Sequence, residues 1–88
     1  MNKMKTFKLE LVGIDGTFIE EEIESLICQT ELGEISIWAY HHPLIAAIKK
    51  GEIKAKINGE IKTYFLPFDS ILEVKENKAK ILVMFYPN

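Results

Sequence analysis

Hydrophobic and polar residues alternate along most of this chain. Near residues 5–12, Phe7, Leu9 and Leu11 are separated from one another by a lysine and a glutamate. Successive side chains of a β-strand point to opposite faces, so this spacing collects the apolar side chains on one face. The pattern predicts a strand here, with one buried face and one solvated face.

The clearest hairpin signal is the dipeptide Asn58–Gly59, which stands between two alternating segments. The alternating residues are Ile53, Ala55 and Ile57 before the turn, and Ile61, Thr63 and Phe65 after it, opposite Glu60, Lys62 and Tyr64. Asn-Gly is strongly preferred in two-residue turns whose central residues need positive φ. This region therefore predicts two antiparallel strands joined by a tight turn.

Residues 18–27 fit two patterns. Ile19, Ile23 and Leu26 have the spacing of a helical stripe, and a run of three glutamates favours a helix by propensity. The segment also alternates as a strand does, and it follows Asp15–Gly16, a pair that is typical of turns. We favour a strand that forms a wide hairpin with the first one.

The remaining chain adds short segments separated by turn residues. They are 34–38, 44–48 (a short strand or one helical turn), 72–74 and 79–86. The last has apolar residues on both faces, so we expect burial on both sides or contact with a partner. About eight to ten short strands without a convincing helix predict an all-β fold. We expect a sandwich or flattened barrel that forms a single domain over residues 1–88.

Composition narrows the choice of partners. The chain has 88 residues, too few for a second domain, and its formal net charge is −2. All 11 basic residues are lysine. Because this composition gives no broad positive field, we expect no nucleic-acid partner. No segment has the length and hydrophobicity of a signal region or a transmembrane helix, so we expect membrane contact only through a partner.

The segment 33–44 reads GEISIWAYHHPL and resembles a motif of the epsilon subunit of F-type ATP synthase, G-E-[IL]-G-[IL]-L-P-x-H-[AT]-P-L. The two agree without a gap at Gly33, Glu34, Ile35, Ile37, His41, Pro43 and Leu44. The segment 7–12 also resembles the opening strand of that family. The sequence departs from the motif at Ser36, Ala39 and His42, where the family has a glycine, a proline and a small residue.

The resemblance implies a non-catalytic rotor subunit of the central stalk. In that family the sandwich binds the foot of the gamma subunit and rests on the polar loops of the membrane c-ring during proton-driven ATP synthesis. The implied location is peripheral, on the cytoplasmic face of the cell inner membrane. Family members usually continue into a C-terminal helical hairpin, and since this sequence stops at Asn88 we expect the inhibitory helices to be absent.

The candidates for partner contact are Glu34, Trp38, Tyr40, His41, Met84 and Tyr86. Glu34 and His41 match positions of the motif. The resemblance therefore implies that they lie on the loop edge near the c-ring and the gamma subunit. Trp38 and Tyr40 form an aromatic corner of the kind that anchors protein interfaces. Met84 and Tyr86 follow on the second face of the last predicted strand.

His41 and His42 raise an alternative, a stand-alone sandwich that binds a metal or a small ligand. Adjacent side chains diverge on an extended chain, and no third residue has the usual ligand spacing. The single cysteine, Cys28, cannot form an internal disulfide, so we take a reducing compartment as the default. Because Cys28 lies in an apolar segment, we expect it to be a small, buried hydrophobic residue. We therefore expect no catalytic residue, no metal site and no cofactor.

Overall fold

The computed structural model describes residues 5–16 and 18–83, and these residues form nine β-strands. The strands are β1 (Phe7–Gly13), β2 (Phe18–Ile23), β3 (Ser25–Thr30), β4 (Gly33–Trp38), β5 (Leu44–Ile48), β6 (Gly51–Ile57), β7 (Glu60–Leu66), β8 (Ser70–Lys75) and β9 (Lys78–Val83). No helix occurs among the described residues, and the segment 44–48 is a strand. The predicted all-β fold class is confirmed.

The strands form two sheets. The five-stranded sheet has the order β2-β1-β9-β8-β5, and the four-stranded sheet has the order β4-β3-β6-β7. Neighbouring strands are antiparallel except for β1 and β9, which run parallel, with Leu9 opposite Ala79 and Leu11 opposite Ile81. The first and last described strands therefore lie side by side in the interior of one sheet.

The core lies between the inner faces, the faces that the two sheets turn toward each other. Its buried residues are Phe7, Leu9, Leu11, Ile23, Leu26, Cys28, Ile37, Ile48, Ile53, Ala55, Leu66, Leu72, Val74, Ala79 and Ile81. Members of both sheets contribute to it, as a sandwich requires. The alternating apolar side chains of residues 7–11 and 53–57 face this core, as predicted from the sequence. Cys28 is fully buried, also as predicted.

The ambiguous segment is two strands that belong to different sheets. The chain bends at Glu24, so Ile23 and Leu26 are both fully buried although they are three positions apart and would lie on opposite faces of one continuous strand. The backbone N–H of Glu24 donates to the carbonyl of Lys56 at 2.7 Å, and its carboxylate accepts from the N–H of Gly59 at 3.1 Å. The helix-like spacing in the sequence arises from this change of sheet, and the preferred strand assignment is confirmed.

Two strands expose apolar residues on their outer faces. The Asn58–Gly59 hairpin forms as predicted, but Ile61 and Phe65 on β7 are 58% and 71% exposed, whereas Leu66 is buried. On β9, Ala79 and Ile81 are buried and Leu82 is 39% exposed. The expectation that the last strand is covered on both faces therefore holds only for its inner face among the described residues.

Shortening a core side chain on β1 should destabilise the whole sandwich. Leu9 is fully buried, so we expect Leu9→Ala to lower the free energy of unfolding by about 2–5 kcal/mol in urea denaturation. The matched control is Ile45→Ala, because Ile45 is 74% exposed; its change should stay within about 0.5 kcal/mol. A loss below about 1 kcal/mol for Leu9→Ala would contradict the described core.

Candidate partner-binding surface

Trp38 and Glu34 lie on β4, which is an edge strand of the four-stranded sheet. Ile37 between them points inward and is buried, so both side chains lie on the outer face of that sheet. Trp38 is 61% exposed. The carboxylate of Glu34 accepts a hydrogen bond from the side-chain amide of Gln29 at 3.2 Å. The side chain of Trp38 thus lies at the surface of the four-stranded sheet.

Tyr40 and His41 lie in the loop between β4 and β5. Tyr40 is 70% exposed and has a φ of 62°, which is unusual for a bulky residue. Its backbone N–H donates to the side-chain oxygen of Asn77 at 2.7 Å, and Lys5 Nζ lies 5.8 Å from its ring centroid. These contacts hold the aromatic side chain outward at the corner of the sandwich.

Asn77 fastens this corner to the rest of the fold. Its side-chain amide donates to the carbonyl of Thr6 at 3.0 Å, and its own carbonyl accepts from the N–H of Lys8 at 3.2 Å. It therefore joins the β8–β9 turn, the start of β1 and the loop that presents Tyr40. Sequence reasoning identified a turn at this point but missed the link, because the partners are distant in sequence.

The structure brings together three of the six candidates. Trp38, Tyr40 and His41 lie at one corner, and the N–H of His41 donates to the carbonyl of Trp38 at 3.2 Å. Glu34 lies at the opposite end of β4, four residues from Trp38 and hence about 13 Å away along the strand. Met84 and Tyr86 lie outside the described residues.

The geometry does not support a metal site at the two histidines. His41 Nδ1 lies 2.7 Å from the carbonyl oxygen of His42, and the two rings meet edge to face with centroids 6.5 Å apart. A carbonyl can only accept, so this contact requires the proton on Nδ1 and leaves only Nε2 of His41 free. Within residues 5–16 and 18–83, no three His, Cys, Asp or Glu residues are grouped as metal ligands.

Cys28 is likewise unsuited to act as a nucleophile or a metal ligand. Its side chain is fully buried among core residues, and this burial raises the pKa of the thiol from 9.0 to about 12. The thiolate is the reactive form of cysteine, so a thiol with this pKa is inert near neutral pH. Cys28 therefore acts as a small hydrophobic core residue.

An apolar cavity of about 210 Å³ opens between the sheets at the end that carries the β1–β2 turn. Its lining includes Leu11, Ile19, Tyr64, Leu66, Phe68 and Val83. Alternation within single strands did not indicate this cavity, because its walls come from strands that are distant in sequence.

The fold and this surface define a class of protein. A rigid two-sheet sandwich presents a tryptophan and a tyrosine at one corner, and its cysteine and histidines are not arranged for catalysis or metal binding. Exposed aromatic residues held by a packed scaffold are typical of protein interfaces. The part of the chain that the structure describes also contains no helix long and apolar enough to cross a membrane. The fold places the chain in the class of two-sheet β-sandwich proteins.

Comparison with known proteins identifies the family. Residues 6–85 match the model of the family described as ATP synthase, Delta/Epsilon chain, beta-sandwich domain. Because the match extends over nearly the whole chain, this protein belongs to that family. The resemblance that the segment 33–44 indicated is confirmed.

Individual relatives agree with this assignment. The chain is 34% identical over 79 residues to the ATP synthase epsilon chain of Caldicellulosiruptor bescii, covering 90% of this chain and 57% of that protein. It is 32% identical over 81 residues to the epsilon chain of Staphylococcus aureus, covering 91% of this chain and 60% of that protein. The matched region thus spans about three fifths of these curated relatives.

Solved structures share the fold. A chain of the Tetrahymena thermophila mitochondrial ATP synthase, from a structure of the central stalk and c-ring, matches with a TM-score of 0.74 and 14% identity over 96% of this chain and 67% of that chain. A chain of the Euglena gracilis mitochondrial ATP synthase, in a structure of OSCP, F1 and the c-ring, matches with a TM-score of 0.81 and 20% identity over 94% of this chain and 53% of that chain. At these identities the likeness shows the fold alone.

Removing the Asn77 side chain should loosen the corner. Asn77→Gly keeps the positive φ of 59° accessible but deletes both side-chain hydrogen bonds, so we expect a loss of about 1–3 kcal/mol in unfolding free energy and faster exchange of the Tyr40 amide. Asn58→Gly is the control, because Asn58 also has positive φ but its side chain makes no hydrogen bond to any residue that the structure describes; it should change stability by less than about 0.5 kcal/mol. Equal effects would refute the role of Asn77.

Burial of Cys28 should appear in the pH dependence of stability. The unfolded thiol ionises near pH 9.0 while the folded thiol, with its raised pKa, stays protonated. Stability from this group is therefore present below about pH 9 and is lost as the pH rises. From about pH 8 to about pH 10, wild type should lose about 1.4 kcal/mol more unfolding free energy than Cys28→Ala, measured by urea denaturation. Parallel curves for the two proteins would contradict this burial.

Proposed function

We propose that this chain is a non-catalytic rotor subunit of the central stalk of an F-type ATP synthase. The observation that carries the proposal is the family match over residues 6–85. In this role the sandwich links the gamma subunit to the membrane c-ring, and it serves proton-driven ATP synthesis by transmitting rotation. Its location is the cytoplasmic face of the cell inner membrane, reached through the assembled complex.

The physical properties of the fold suit this role. A rotor element must keep its shape under load, and the inner faces of the two sheets form one close-packed core. Ion pairs also tie the edges of the sandwich together, as in the contact of 3.0 Å between Lys62 Nζ on β7 and a carboxylate oxygen of Glu21 on β2. Such a body can present surfaces to two neighbours without rearranging.

The aromatic corner supports contact with a partner protein. Trp38 and Tyr40 are both more than half exposed, and the hydrogen bond from Tyr40 to Asn77 fixes the backbone beneath them. Side chains held in this way lose little freedom on binding, which favours affinity. We therefore assign Trp38, Tyr40 and His41 to one contact surface and Glu34, at the far end of β4, to a separate contact.

Binding to purified gamma subunit tests the proposal. We expect the wild-type protein to form a stable complex in a pull-down, and we expect Trp38→Ala to weaken it by about tenfold or more, because a large anchor side chain is lost. Glu34→Lys should also weaken assembly of the complex that contains gamma and the c-ring.

The matched control for Trp38→Ala is Ile45→Ala, which removes an apolar side chain that is also more than half exposed from the outer face of the five-stranded sheet. It should bind gamma as the wild-type protein does. Failure of the folded wild-type protein to bind gamma would refute the proposed function.

A further inference from the structure

The turn between β6 and β7 consists of a dipeptide that can react with itself. Asn58 and Gly59 have φ angles of 51° and 80°, as the two central residues of a type I′ turn require. Both residues are exposed, and the side chain of Asn58 makes no hydrogen bond to any residue that the structure describes. Its amide group is therefore open to attack by a neighbouring nucleophile.

The nucleophile at this turn is the backbone nitrogen of Gly59. In an Asn-Gly dipeptide this nitrogen can bond to Cγ of the asparagine, because glycine carries no side chain that obstructs the approach. A Cβ added to Gly59 would meet no atom within 4 Å apart from its chain neighbours, so the space around the nitrogen is open. The chemical requirements for deamidation of Asn58 therefore coincide here.

The reaction consumes only water. The nitrogen of Gly59 loses its proton to solvent and bonds to Cγ of Asn58. The bond from Cγ to the side-chain nitrogen breaks, and that nitrogen takes up a proton and leaves as ammonia. The product is a cyclic succinimide. A water molecule then opens the ring at either carbonyl and leaves aspartate or isoaspartate at position 58.

Glu24 restrains the nucleophile. The pairing of Ile57 with Glu60 leaves the N–H of Gly59 inside the turn, without a residue opposite it on a partner strand. This N–H donates instead to the carboxylate of Glu24 at 3.1 Å, and Glu24 is only 8% exposed. The hydrogen bond must break before the nitrogen can attack, and a negative charge beside the N–H opposes loss of its proton. The closed turn is thus the protected state.

The restraint comes from the tertiary fold. Glu24 lies where the chain passes from one sheet to the other, and its backbone N–H donates to the carbonyl of Lys56 at 2.7 Å. This bond fixes the backbone of Glu24 beside the end of β6, so its carboxylate reaches the turn from a held position. An unfolded chain has the same Asn-Gly dipeptide but lacks this contact.

We propose that Asn58 is a site of spontaneous deamidation whose rate is set by the hydrogen bond between Gly59 and Glu24. Conversion to aspartate adds one negative charge to the turn, and conversion to isoaspartate also adds a methylene group to the backbone. Because a two-residue turn fixes the register of its strands, the longer backbone disturbs the pairing of β6 with β7. The turn lies at the end of the four-stranded sheet that carries Trp38, since Ser25 pairs with both Trp38 and Lys56.

Peptide mass spectrometry tests the proposal on the whole chain. Wild type, Glu24→Ala and Ile81→Val are incubated near neutral pH, and aspartate and isoaspartate at position 58 are followed over time. Ile81→Val shortens a fully buried side chain and controls for a general loss of stability, and urea denaturation establishes that each variant is folded. Wild type unfolded in urea gives the unrestrained rate, with Asn77, which precedes Lys78, as the internal reference.

We expect Glu24→Ala to react at position 58 at least about tenfold faster than wild type, because loss of a charge-assisted hydrogen bond frees the nucleophile. Hydrogen exchange of the Gly59 amide should quicken in the same variant, since both processes begin with loss of the same proton. Ile81→Val should stay within about twofold of wild type. In unfolded wild type, Asn77 should react more slowly than Asn58, because the lysine side chain crowds the attacking nitrogen.

Equal rates at position 58 in wild type and Glu24→Ala, or equal acceleration by Ile81→Val, would overturn the proposal. A slower reaction in Glu24→Ala would also overturn it, because the carboxylate would then be assisting removal of the proton. If Glu24→Ala does not fold, Glu24→Gln takes its place; its neutral hydrogen bond is weaker, so it should react faster than wild type, and an unchanged rate would count against the role of Glu24. Absence of the modification in unfolded wild type would eliminate the site itself.

Discussion

The pairing of the first strand with the last is the constraint on which the rest of this sandwich depends. Leu9 and Leu11 on β1 lie opposite Ala79 and Ile81 on β9, and all four side chains are buried. Because a parallel pair needs a long connection, every other strand must form within the chain that joins them. The core is complete only when β1 and β9 are paired.

Asn77 links this pairing to the surface. It stands just before β9, accepts the N–H of Lys8 through its carbonyl and holds the loop that carries Tyr40 through its side chain. The same residue therefore contributes to the register of the five-stranded sheet and to the position of the aromatic corner. The proposed contact surface is therefore anchored to the core, as the proposed rotor role requires.

Much of the fold could be predicted from local patterns. The apolar residues Ile61 and Phe65 of β7 lie on the exposed outer face, not on the core side, so that strand was predicted with the wrong phase. Alternation at residues 7–11 and the turn at Asn58–Gly59 depend only on neighbours in sequence, and both were predicted correctly. The bend at Glu24 was not, since it depends on hydrogen bonds to Gly59 and Lys56 across the sandwich. The candidates at the aromatic corner followed from a motif, whereas the hydrogen bonds by which Asn77 holds that corner became visible only in the folded structure.

The central claim is that this sandwich binds a rotor partner through the outer face of its four-stranded sheet and the loop beside it. Hydrogen exchange of the backbone amides, with and without purified gamma subunit, tests that claim most directly. The account predicts slower exchange within residues 36–41 on complex formation, and little change at residues 71–75 on the opposite sheet. Protection confined to residues 71–75, or spread evenly over both faces, would contradict it.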